Sequence, residues 1–183
     1  MPTVITTPGA SNANSYASRD EANDYHTTRP VSQAAVWYAA SDDDKDAALI
    51  MATELMDASI LWNGSVSTTT QALAFPRNGL VGRNGISVSS SVVPTELKRA
   101  QSEFARQLIK SDRMSDNDVV RQGITDLTAG DIKLSFAEDK TSQYVGSLQV
   151  GVPKVIPDAV LLLLPTSWYT VPMNAPIVEI EAL

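Results

Sequence analysis

The sequence predicts a mainly α protein: a small helical bundle with a β-hairpin insertion and extended N- and C-terminal arms. Three observations predict it. Apolar residues recur at helical spacing over 46–62 and again over 94–108. Apolar and polar residues alternate over 131–136 and over 147–152, the period of a strand. The first 14 residues are rich in Thr, Ser, Asn, Gly and Pro, and residues 169–183 place Pro172 and Pro176 before a strand-like end, Ile177-Val178-Glu179-Ile180-Glu181. The expected division is an arm over 1–14, a helical domain over 15–168 with its hairpin at about 131–152, and an arm over 169–183.

The first helix is expected near Ser18. Ser18-Arg19-Asp20-Glu21 has capping-box form, in which hydroxyl and carboxylate each satisfy a free backbone N–H. Pro30 ends that element. Residues 34–40 form a short apolar segment leading into Ser41-Asp42-Asp43-Asp44, a second cap whose acids favour the positive end of a helix dipole. In the helix beyond, Ala48, Leu49, Ala52, Leu55 and Met56 share a face. Ile60-Leu61-Trp62 prolongs it until Asn63-Gly64. Residues 65–92 read as loop, with turns at Asn78-Gly79 and Asn84-Gly85 and a short strand at Ile86-Ser87-Val88. Within it, Pro76 biases Phe75 toward an extended backbone, and the Phe75 ring is expected to anchor the loop by burial. Arg77 is the one free polar tip there, aimed at a neighbouring carboxylate or an adjacent copy. Pro94 opens the next helix, with Leu97, Ala100, Phe104 and Leu108 as its apolar stripe. Residues 131–136 and 147–152 are expected to pair around a polar loop. Pro157-Asp158 opens a short apolar helix ended by Pro165.

Composition narrows the functional classes. The chain has 183 residues, 43% hydrophobic and 19% charged, ordinary for a folded soluble domain with a real core. Net charge is -7 and the pI about 4.6, which argues against bulk attraction to nucleic acid but leaves room for a local basic face. There is no cysteine, hence no disulfide, thiolate metal site or cysteine nucleophile. The N-terminus has no signal-peptide pattern, and the apolar run 159–164 is too short to span a bilayer. A soluble product made in the cytoplasm, with no membrane contact, is expected.

No constellation points to catalysis, a metal or a cofactor. His26 is the single histidine. A triad would need it, but no Gly-x-Ser-x-Gly is present, so a structural histidine near a helix end is the better reading, with a small hydrolase a remote one. Asp42–Asp44 point in different directions around a helix and suit its dipole better than an ion. Asp112, Asp116 and Asp118 lack the calcium-loop glycine and glutamate. Gly79, Gly82 and Gly85 lack the Gly-Lys-Ser/Thr of a phosphate loop. Lys98, Arg99, Arg106 and Lys110 fall within roughly a third of the helical wheel, away from the apolar stripe. A solvated face is the first reading of these cations, an acidic face of another copy the second, and nucleic acid the third, since the helix offers no aromatic beyond Phe104 for stacking.

One ordered series is distinctive. It runs Asn14-Ser15-Tyr16, Trp37 before Ser41, the Ala48-to-Asp57 helix, Trp62, Gln71-Ala72-Leu73-Ala74-Phe75-Pro76-Arg77, then Val93-Pro94 with Lys98, Ala100 and Glu103. This series resembles the tailed-phage head–tail connector, or adaptor, proteins, which carry the label "DnaT-like". The likeness covers 12–112 well and 125–168 loosely. The family more often has Trp where Phe75 stands, and no counterpart is placed after Trp168. The resemblance implies a virion protein of the neck, without enzyme activity. It would form a dodecameric ring under the portal, bind the portal and a tail or stopper protein, and pass DNA through its channel without holding it. The residues expected to build structure or interface are Trp62, Phe75, Pro76, Arg77, Lys98, Arg99, Arg106, Lys110, Trp168, Ile177 and Ile180. The alternative, from another class, is a single-stranded DNA-binding replication protein, with the basic helix face as its site.

Overall fold

The computed structural model describes residues 2–111 and 155–170, and the backbone of four short strands between them. It is mainly α. Five helices occur among the described residues: α1 Arg19–Thr27, α2 Val31–Ala39, α3 Asp42–Ser59, α4 Thr95–Lys110 and α5 Asp158–Leu161. No helix among them is long and apolar enough to cross a membrane.

Each helix start has a local cause. Ser18 and Glu21 close the capping box of α1: Ser18 Oγ accepts from Glu21 N at 3.2 Å, and Glu21 Oε2 from Ser18 N at 2.9 Å. Ser41 Oγ accepts from Asp44 N at 3.1 Å to start α3. Pro30 does more than end α1. Its fixed φ of -53° makes it the N-cap of α2, which begins at once and turns the apolar segment 34–40 into a helix with Ala34 and Trp37 inward. Pro94 likewise stands at the N-cap of α4, one position before the first turn.

α3 stops at Ser59, earlier than its apolar periodicity suggests. Leu61–Trp62 form strand β1 and pair antiparallel with β8, Tyr169–Thr170. The Asn63 N–H to Trp168 carbonyl bond, 2.8 Å, extends this contact. A partner more than 100 residues away takes over backbone groups that a longer helix would have used. Tyr169 and Thr170 therefore belong to the domain rather than to the C-terminal arm. The loop after α3 also holds strand β2, Ser65–Val66, against β3, Arg77–Asn78. Gly64 makes that return possible: its φ is +74°, and a Cβ there would lie 2.2 Å from the Asn78 carbonyl oxygen. Ile86–Val88 is reduced to a single bridge, Val81 to Ser87.

The β-hairpin element is present, and only its pairing differs from the expected one. Strand β4, Asp126–Ala129, pairs with β5, Ile132–Ser135, and β6, Tyr144–Val145, pairs with β7, Leu148–Gln149. Among the described residues, Ile132–Ser135 and Leu148–Gln149 do not pair with each other. In sequence only Gly130-Asp131 and Gly146-Ser147 separate the paired strands, the Gly-X composition of tight hairpins, and closing two residues is less costly than closing ten or so.

The core sits between α3, α4, α5 and the loop over 60–80. Tyr16, Trp37, Leu49, Met56, Phe75, Leu97, Phe104, Val160, Leu164 and Trp168 are buried in it. Residues 2–14 have neither helix nor strand and fold back on the domain, where Asn14 Oδ1 accepts from Ile5 N at 2.7 Å and Ala10 O from Ala72 N at 3.1 Å. Gln101 of α4 ties this entry to the bundle. Its Oε1 accepts from Ala17 N at 2.6 Å, and its Nε2 faces Ser15 Oγ, Thr53 Oγ1 and Leu49 O within 2.9 Å.

Candidate nucleic-acid interface

Two groups of side chains account for the candidate residues, and they do different work. The first is the loop anchor. Phe75 is buried edge-on to Tyr16 and Trp62, with ring centres 5.9 and 4.9 Å away, and lies 6.0 Å from Trp168; its bond to Pro76 is cis. Arg77 makes no ion pair with a carboxylate among the described residues, although the Asp57 charge acts on it. Its guanidinium donates to the carbonyls of Asn63, Ala74, Trp62 and Gly64 at 2.8–3.1 Å, because the loop around it carries carbonyls with no helix or sheet partner. Asp57, near the end of α3, turns inward. It accepts from the Tyr16 hydroxyl at 2.6 and 2.7 Å, from Trp62 Nε1 at 3.1 Å and from Ala74 N at 3.0 Å. Burial raises its pKa, and these hydrogen bonds only partly offset that. Trp168 Nε1 donates to Val81 O at 2.8 Å, holding the strand-like segment that leads into the 82–85 turn. Every described polar group here is directed at the protein itself.

The second group is the basic face of α4. Residues 99, 106 and 110 are 7 and 11 positions apart, so they stand within about 40° of one another around the helix. Lys98 is about 100° away from Arg99 and reaches α1, with its Nζ 2.5 Å from Glu21 Oε1. Glu103 borders the stripe and is buried, between Nη2 of Arg29, which follows α1, and Arg106 Nη2, each at 2.7 Å. Burial alone would raise the Glu103 pKa. Hydrogen bonds from Arg106 and Gln107, and the charges of Arg106 and Arg29, hold it below the ordinary carboxylate value. One carboxylate thus serves two guanidinium groups and leaves a net positive charge. Arg99 and Lys110 are exposed, and among the described residues their side chains have no hydrogen-bond or ion-pair partner.

The other described cations are engaged. Arg19 bridges to Asp42 and Asp46, and Lys45 lies 3.7 Å from Asp42. Arg83 Nη2 donates to the Leu162 and Leu164 carbonyls beyond α5, at 2.5 and 2.8 Å. A groove of about 430 Å³ beside Arg19 is lined by Asp20, Asp42, Asp43 and Asp46, a surface that repels phosphate. No group of three or more His, Asp or Glu side chains among the described residues could hold a metal ion. Ile177 and Ile180 lie outside the described residues.

His26 is fully buried, packed 4.7 Å from the Trp37 ring, with its Nε2–H directed at the Ser102 carbonyl 3.2 Å away. It cannot meet a substrate there. Burial is the main cause that lowers its pKa from 6.5 to about 4. The unfolded chain therefore takes up this proton first as pH falls below 6.5, and stability drops until pH passes about 4. The full loss is about 3 kcal/mol. Urea unfolding at pH 7 and pH 4.5 is expected to show most of this loss in the native sequence and much less in His26→Gln. Equal pH dependence of the two would refute the assignment.

The residues not anticipated from sequence are Glu103, Arg29 and Tyr25. The Glu103–Arg106 spacing of three was a visible helical pairing signal. Arg29 and Tyr25 come from another element, and no spacing along the chain reports them.

A family model described as "Putative DnaT-like ssDNA binding protein" matches residues 1–172. The chain belongs to that family. No curated protein and no solved structure matches it. For this DnaT-like chain the adaptor assignment is corrected, together with its dodecameric ring, its portal and tail or stopper partners, and its passage of DNA without binding. The physical reason lies in the series that suggested them. Tyr16, Trp37, Trp62, Phe75 and Arg77 are core and loop anchors. They record how the DnaT-like domain packs and do not report what its surface meets.

Proposed function

We propose that the protein binds single-stranded DNA, without catalysis, through the α4 stripe of Arg99, Arg106 and Lys110. The observation that carries this is the pair of exposed, partnerless cations flanking a guanidinium on one helix face, in a domain whose other described cations are engaged. The family description points the same way. Overall acidity does not oppose it at short range. The stripe acts on a phosphate within a few ångströms, while charges more than about 10 Å away are screened at ordinary salt. The acidic remainder weakens affinity, and the three phosphate contacts make it fall as salt rises.

The test is anisotropy titration of a labelled oligothymidylate and of a duplex of equal length at low salt. The expected result is saturable binding of the single strand and weaker binding of the duplex. Absence of single-strand binding at low salt would overturn the proposal.

A further inference from the structure

This inference rests on the single-stranded DNA reading and concerns the part of the ligand taken by α1. Phosphate contacts alone do not distinguish a single strand from a duplex; an accessible stacking surface does. α4 supplies none, since Phe104 is buried in the core. The fold brings one from elsewhere. Arg29 lies over the half-buried Tyr25 ring, 5.4 Å from its centre, and its Nη2 donates to the Tyr25 hydroxyl at 3.0 Å. The same Nη2 reaches Glu103, whose other oxygen holds Arg106. Tyr25 is therefore joined to the stripe through a continuous chain of contacts. His26 packs on it at 5.0 Å and is itself held against Trp37, so the platform is rigid. Arg29 keeps about a quarter of its side chain exposed (24%), and its buried Nε has no partner.

We propose that the Tyr25–Arg29 pair is the base-contacting element of the interface. A base of the single strand stacks on this aromatic–guanidinium surface while neighbouring phosphates lie on Arg106, Arg99 and Lys110. Stacking on a π-face tolerates any base, so the site discriminates strandedness rather than sequence. Tyr38 is the natural comparison. It is 47% exposed on α2 and has no hydrogen bond or ring contact among the described residues.

The test uses the full chain, an oligothymidylate and an abasic strand of the same length. Tyr25→Leu is expected to weaken binding of the thymidylate about tenfold, the lower part of the range for one stacked base. It should leave abasic binding and the salt dependence unchanged. Tyr25→Phe, which keeps the ring, should bind nearly as the native protein does. Full thymidylate affinity in Tyr25→Leu, equal losses on both strands, or a loss produced by Tyr38→Leu instead would overturn the inference. Photocrosslinking of the unsubstituted protein to an iodouracil-containing strand decides the matter even where Tyr25→Leu does not fold. A crosslink at Tyr25 supports the inference, and one confined to Tyr38 or another residue refutes it. The site reading is judged separately: Arg99→Glu/Lys110→Glu that retains full affinity overturns the α4 stripe itself.

Discussion

Replacing Asp57 with alanine is expected to destabilise the protein by about 4 kcal/mol, because three donors lose one charged acceptor. The Tyr16 hydroxyl, the Trp62 indole N–H and the Ala74 backbone N–H all converge on this carboxylate. Tyr16 is fully buried and recovers no water, while Trp62 is half-exposed and recovers some. The removal also frees the segment 74–77 from α3, and with it the seat of Phe75. Asp57→Asn separates the contributions. Its amide oxygen still accepts, but its NH2 then faces the Ala74 N–H, so an intermediate loss of about 2 kcal/mol is expected. Glu54→Ala, on the exposed side of the same helix, should stay within about 0.5 kcal/mol. Urea midpoints followed by tryptophan fluorescence read all three. A loss for Asp57→Ala no larger than for Glu54→Ala would sink the account of this hub.

Asp57 also shows where sequence reading ends. Helices α1, α3, α4 and α5 were legible because each is encoded locally, whereas α2 showed only as a short apolar segment. Ser18 with Glu21 caps α1, Ser41 caps α3, and the apolar stripe of α4 recurs every three to four residues. Carboxylates at 54 and 57 look alike on that scale, yet one faces solvent and the other faces Tyr16, 41 residues away. Strand β1 was misread as helix for the same reason, since its partner β8 lies at 169–170. Alternation identified the residues of β5 and β7 but not those of β4 and β6, and it carries no information on which strands pair. Nearness in sequence decided that. The basic face was legible as geometry on a wheel. Its ion pairs across the bundle were not, because Glu21 of α1 and Arg29, just beyond the end of α1, enter only through packing on α4.

The second large effect concerns that face. Arg99→Glu/Lys110→Glu is expected to lower affinity for a single strand more than tenfold at low salt. Two of three phosphate contacts are lost, and two repulsive charges replace them. Stability should change little, since both side chains are exposed and make no hydrogen bond or ion pair among the described residues. Lys98→Gln is the informative contrast. Lys98 lies off the stripe and is paired with Glu21, whose carboxyl is held below its ordinary pKa: burial raises it, but hydrogen bonds from Lys98 and the Ser18 backbone lower it further. Its loss should loosen the α1–α4 contact slightly and leave binding nearly unchanged. A loss for Lys98→Gln in proportion to its one unit of charge, against four for the double reversal, would show that net charge, and not the stripe, governs binding.

The salt dependence of binding tests the central claim most directly. For a strand held by Arg99, Arg106 and Lys110, the plot of log affinity against log salt should fall with a slope of about -2. In Arg99→Gln/Lys110→Gln, with one contact left, the slope should shrink to about -0.7. A native slope near zero, or one that the double substitution leaves unchanged, would contradict a phosphate-binding stripe on α4.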